Sequence, residues 1–162
     1  MYKKLLAMLA GVICVSAVFA QGENVRPVQG DKYVGGGGQW LNAGDNDIAH
    51  FEVNLGFYFH PQIVGELDTM YIYSGSHDQW AVALMGKYLL TKDNPTVPYL
   101  QVGGVYYKTT DENDTTFIFG GGVDYFIKPN QAFYLDFKAC KPDVQDDDWV
   151  YVTSIGFRYA FK

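Results

Sequence analysis

The stretch from Trp149 to Phe161 alternates with a period of two. One register holds Trp149, Tyr151, Thr153, Ile155, Phe157, Tyr159 and Phe161, and the other holds Val150, Val152, Ser154, Gly156, Arg158 and Ala160. Successive side chains leave a pleated backbone on opposite faces. The pattern therefore predicts a strand with one bulky apolar face and one small or polar face that carries a cation. The bulky face is graded, with rings toward both ends and Thr153 and Ile155 between them. That grading suits a strand crossing a bilayer, its rings at the two interfaces and its aliphatic groups in hydrocarbon.

The same alternation recurs along the chain. Eight runs are predicted as strands, at about 32–43, 48–60, 63–74, 80–90, 98–109, 115–127, 132–141 and 149–161. Between them lie GDND, PQ, GSHDQ, TKDNPTV, DENDT, KPNQ and PDVQDDD, all rich in turn-forming residues. No connection is long enough for a crossover helix, so neighbouring strands must be antiparallel. An even-numbered meander sets its last strand antiparallel beside its first and can close into a barrel without edges. The expected fold class is all-β, an eight-stranded antiparallel up-and-down transmembrane barrel.

The faces separate cleanly in most runs. Phe51, Val53, Leu55, Phe57 and Phe59 oppose His50, Glu52, Asn54, Gly56, Tyr58 and His60. Leu67 and Thr69 oppose Glu66 and Asp68, Val82 and Leu84 oppose Met85 and Lys87, and Phe117 and Phe119 oppose Gly120, Gly122 and Asp124. Phe133, Leu135 and Phe137 oppose Tyr134, Asp136, Lys138 and Cys140. In the first run Gly35 to Gly38 carry no side chains and leave the phase open.

Alternation alone does not say which face meets the interior, and a soluble barrel holding an apolar ligand would show it too. Volume decides. Eight strands enclose little more than a filling of side chains. About twenty large apolar residues, rings of roughly 150–250 Å² among them, would not fit. The small and polar face fits, so it is assigned inward and the bulky face to lipid.

Three stretches carry a resemblance to known proteins. They are Gly120-Gly121-Gly122-Val123-Asp124-Tyr125-Phe126 before the Lys128-Pro129-Asn130 turn, Pro98 to Tyr107, and the closing Ile155 to Phe161. Over about 32–162 the chain resembles the small eight-stranded outer-membrane β-barrel domains of Gram-negative bacteria, including opacity-type and OmpA-like barrels. The resemblance implies periplasmic transit and insertion by the outer-membrane assembly machinery, which reads the aromatic C-terminal strand, here Phe157, Tyr159 and Phe161. In this chain Lys162 follows that aromatic residue.

Targeting and charge agree with that compartment. Lys3 and Lys4, the apolar stretch Leu5 to Val18, and Val18-Phe19-Ala20 make residues 1–20 a secretory signal, with cleavage expected between Ala20 and Gln21. Residues 21–31 lack periodicity and are expected to form a flexible lead-in to a domain at 32–162. Losing Lys3 and Lys4 takes the net charge from −6 to −8, which argues against a nucleic-acid partner. Cys140 is the single cysteine after such cleavage, so no internal disulfide is expected.

The inward face gathers charges of both signs: Glu52, Glu66, Asp68, Asp124 and Asp136 with Lys87, Lys138 and Arg158. An unpaired charge in a narrow bore is costly, so these groups are expected to pair across strands. Glu66 or Asp68 can face Lys87, and Asp136 or Lys138 can face Arg158 or Asp124. The network would close the bore; the alternative is a narrow porin-like ion path. No enzyme is expected: Ser76-His77-Asp78 are adjacent on an extended chain and point in alternate directions. His50 and His60 are separated by about 33 Å at strand rise, so no metal is expected to join them. No cofactor is expected. The partners expected are outer-membrane lipid and, during biogenesis, the assembly machinery, around a monomer. The connections at one rim are acidic, with Asp45, Asp111, Glu112, Asp143, Asp146, Asp147 and Asp148 among them.

Overall fold

β-Branched and aromatic residues at alternate positions favour the extended backbone, and the Gly-, Pro- and Asn-containing turns fold each run back on the one before. The computed structural model describes residues 27–43, 46–74, 77–91, 94–108, 113–141 and 149–162. The proposed cleavage point at Ala20 and Gln21 lies outside them. Eight strands follow in order: β1 (Lys32–Ala43), β2 (Asn46–His60), β3 (Ile63–Ser74), β4 (His77–Leu89), β5 (Thr96–Lys108), β6 (Asn113–Lys128), β7 (Gln131–Cys140) and β8 (Val150–Phe161). Each pairs antiparallel with its neighbours, and β1 pairs with β8 from Lys32↔Phe161 to Asn42↔Tyr151, closing the ring.

Several strands run further than the alternation predicted. β2 begins at Asn46, β4 at His77 and β6 at Asn113, because the ladders continue to the last paired residues of each hairpin. Asp47, Asp78 and Asp114 are therefore strand residues rather than parts of free connections. The remaining acids of that rim, and Ser76, lie outside the described residues.

The register fixes the shape. Following cross-strand partners from Lys32 through Phe57, Gly65, Gly86, Val102, Phe119, Ala139 and Tyr151 returns to β1 at Asn42, ten residues further on. Eight strands with that stagger tilt about 40° from the barrel axis, at a backbone radius of roughly 8 Å. Such a bore is filled by its own side chains.

The large apolar residues stand outside. Phe117 is 80% exposed, Leu84 67% and Phe51 64%. Leu55, Leu67, Leu100, Val102 and Ile155 form a band of exposed aliphatic groups. Trp40, Trp80 and Trp149 flank it toward one end, and Phe59, Tyr88, Phe133, Tyr159 and Phe161 toward the other. Ring pairs run along this outer face, with Phe133 and Phe157 centroids 5.5 Å apart and Phe119 and Trp149 5.7 Å apart.

The interior has three layers. At the end where β1 starts and β8 finishes, Tyr33, Tyr58, Val64, Leu89, Val97, Tyr99 and Phe126 pack together. At the opposite end Leu41, Met85, Val105, Ile118, Cys140, Val150 and Val152 do so. Charged and amide side chains lie between. The first strand is oriented by this packing: Tyr33, Gln39 and Leu41 point in, and Val34 and Trp40 point out. Ahead of β1, Pro27 is buried at the mouth of the bore. Gly30, at φ 92°, turns that segment so that its N–H donates to the Tyr58 carbonyl at 2.8 Å, and the Tyr58 N–H donates to the Asp31 carbonyl at 3.0 Å.

Candidate functional site in the bore

Period-two alternation delivers the same inward positions from every strand, and the ten-residue stagger lifts each strand relative to the next. Residues remote in sequence therefore meet at one height. Glu52 from β2, Glu66 and Asp68 from β3, Lys87 from β4, Asp124 from β6, Asp136 and Lys138 from β7 and Arg158 from β8 form one belt. None is more than 6% exposed.

Three cations organise the belt. Lys138 Nζ donates to Asp68 Oδ2 at 2.6 Å and lies 3.6 Å from Glu52 and 3.5 Å from Asp136. Lys87 Nζ sits 2.6 Å from Glu66 Oε1, an ion pair rather than an aligned hydrogen bond, and 4.0 Å from Asp136. Arg158 binds Asp124 through Nη1 and approaches Glu66 at 3.3 Å and Asp136 at 3.5 Å through Nη2. Asp136 Oδ2 is thus the hub, within 4.0 Å of all three cations.

Neutral groups complete the belt, and sequence reasoning assigned them no role in it. Tyr33 donates its hydroxyl to Glu66, and Tyr134 donates to Glu52 while accepting from Asn54 Nδ2 at 3.1 Å. Gln39 Nε2 donates to Glu52 at 2.8 Å and to Ser154 Oγ at 3.0 Å. The Arg158 guanidinium lies 4.0 Å from the centre of the Tyr134 ring, and Lys87 Nζ lies 4.6 Å from that of Tyr99. Cations over aromatic faces are held by the ring quadrupole, and strongly so where water is excluded.

Inward glycines make room for those rings. A Cβ on Gly56 would collide with the Tyr33 ring. One on Gly156 would strike the Tyr134 ring and the Gly36 carbonyl, and one on Gly122 would meet Asp136 Oδ1 and the Tyr99 hydroxyl. A glycine inside a strand signals such a close approach, so this part of the site left a trace in the sequence.

The other residues singled out lie elsewhere. Phe157, Tyr159 and Phe161 occupy the outer face of β8, away from the belt. Cys140 is buried, with its Sγ 2.8 Å from the Tyr107 hydroxyl. Among the described residues no group of three or more His, Cys, Asp and Glu side chains is placed to hold a metal ion.

Closed eight-strand rings of this shape occur in solved structures. The N-terminal β-barrel domain of Pseudomonas aeruginosa OprF matches with a TM-score of 0.70 at 12% identity, over 83% of this chain and 100% of that one. The outer membrane protein OprG from Pseudomonas aeruginosa matches with a TM-score of 0.68 at 13% identity, over 84% of this chain and 98% of that one. This is the fold of the small outer-membrane β-barrels. Neisserial surface protein A shares it, with a TM-score of 0.58 at 14% identity, over 81% of this chain and 96% of that one. No family model matches the sequence, and no curated protein matches it significantly. At such identities the small-barrel fold is what is held in common.

Proposed function

We propose that this chain is an integral outer-membrane β-barrel with a structural or surface role, its bore closed by the charged belt. The observation that carries this reading is the inversion of polarity: large apolar side chains outside, charges and amides inside. Water would reject an exposed apolar surface running around the whole molecule. A bilayer accepts it, and closed strands leave no backbone group unpaired in hydrocarbon. The location of OprG, which its description gives as the outer membrane, supports the choice of membrane.

The radius and the layers support closure. An ion entering from either end would first have to pass packed apolar side chains. It would then have to displace a cation from carboxylates held at 2.6 Å. In this reading residues 1–20 direct export with cleavage between Ala20 and Gln21. Phe157, Tyr159 and Phe161 present the strand that the assembly machinery recognises, and the barrel works as a non-catalytic monomer among outer-membrane lipids.

Membrane fractionation combined with heat-dependent gel mobility tests the compartment and the closed ring together. The protein should require detergent and migrate faster before boiling than after. Recovery in the soluble fraction without detergent would favour a soluble carrier of apolar ligands instead. Planar-bilayer recording tests closure: no steady unitary conductance is expected, and one that vanished on substituting belt residues would replace closure with a narrow pore.

A further inference from the structure

The rim at which β1 starts and β8 finishes carries exposed lysines. Lys32, Lys128 and Lys162 all stand there, and among the described residues none of them forms an ion pair with a carboxylate. Asp31, the acid next to Lys32 in the chain, turns its Oδ2 to the Val28 N–H at 3.0 Å. The cations at this rim are therefore open to a partner from outside the chain.

Lys32 is set apart by its surroundings. Tyr33 points into the bore, so Lys32 points outward, onto the apolar face. Its cross-strand partners on that face are Phe57 on β2 and Phe161 on β8. One step along the same face, Val34 stands between Leu55 and Tyr159, and all three are exposed. The alkyl stem of a lysine can lie along such apolar groups while its ammonium reaches the headgroup level of a bilayer. Lys162 directly follows Phe161, so a second cation falls at the same seam.

We infer that the seam between β1 and β8 at this rim binds an anionic phospholipid, its phosphate at Lys32 and Lys162 and its acyl chains along Val34, Leu55 and Tyr159. Charge and apolarity match together. In the lipid a phosphate is joined to two acyl chains, as here the lysines are joined to an apolar strip. Basic groups beside a membrane-spanning segment draw anionic lipid, each lysine by about a factor of five. The inference rests on the outer-membrane reading above, in which β8 is presented to the assembly machinery from the periplasm. This rim then meets the phospholipid leaflet that faces the periplasm.

The test is NMR of the full barrel in phosphatidylcholine nanodiscs into which phosphatidylglycerol is substituted stepwise. Backbone amide shifts should concentrate at Lys32, Phe161 and Lys162 and should saturate. Lys32→Gln should weaken the apparent affinity about five-fold, and Lys32→Arg should keep it. Lys128→Gln removes an equal charge elsewhere on the rim and should leave the seam shifts in place. Sodium phosphate added to plain phosphatidylcholine discs should not reproduce them, since it brings no acyl chains. The inference would be overturned by shifts spread evenly around the rim or absent from the seam. Equal losses for Lys32→Gln and Lys128→Gln, or the same shifts with inorganic phosphate, would overturn it too. Recovery of the protein without detergent would overturn the outer-membrane reading instead, so the two failures are distinguishable.

Discussion

Lys138 Nζ lies 2.6 Å from Asp68 Oδ2, although β7 and β3 are four strands apart in either direction around the ring. The pair spans the diameter of the bore, so it ties opposite walls rather than neighbours. Removing one partner leaves the other buried without a countercharge, which costs about 3–5 kcal/mol. Lys138→Met should therefore lower stability in detergent by about that amount, read from urea unfolding. Lys138→Met with Asp68→Leu should recover more than half of the loss, because neither charge is then stranded. Additive losses would show that the two do not act as a pair.

Lys87 gives a second tie, from β4 to Glu66 at 2.6 Å on the adjoining strand. Lys87→Met should lower the unfolding temperature, again through a stranded carboxylate, here costing about 3 kcal/mol. An unchanged temperature would mean that Glu66 is served by Arg158 and Tyr33 alone.

The outer face answers to a different rule. Leu84 is 67% exposed and lies within the aliphatic band. Leu84→Arg would be harmless on a water-facing surface, but near the middle of a bilayer it should cost about 2–4 kcal/mol. Folding into lipid vesicles measures this directly. A neutral result would place this face in water.

Gly56 and Tyr33 form a steric pair on neighbouring strands, since a Cβ on the glycine would overlap the tyrosine ring. Gly56→Val should destabilise by about 1–3 kcal/mol through overpacking. Adding Tyr33→Ala should relieve the clash while losing the hydroxyl that Glu66 accepts. If Gly56→Val were neutral on its own, the ring would not be confined as described.

The strands were legible because most runs carry a large residue at every second position, as Phe51 to Phe59 do. The first strand's extent was legible as well, at 32–43, but its facing was not, because Gly35 to Gly38 carry no contrast and the flanking Tyr33 and Trp40, both aromatic, point to opposite faces. Which charges face inward could be read from parity. Which meets which could not: adjacent-strand reasoning reaches Lys87 and Glu66, but the contact from Lys138 to Asp68 depends on the stagger, a property of the whole ring. The tyrosines were hidden for another reason. Tyr134 and Tyr99 have apolar bodies and one polar atom, so alternation does not reveal that their hydroxyls serve charged neighbours.

Closure of β1 on β8 couples the first strand of this molecule to its last. From Lys32 to Asn42, one edge of β1 has no hydrogen-bond partners until the segment from Tyr151 to Phe161 has been synthesised. An oily solvent would not tolerate so many bare amides, so that edge has to be covered whenever it meets hydrocarbon. The earliest part of the sheet must be sheltered until its latest part arrives.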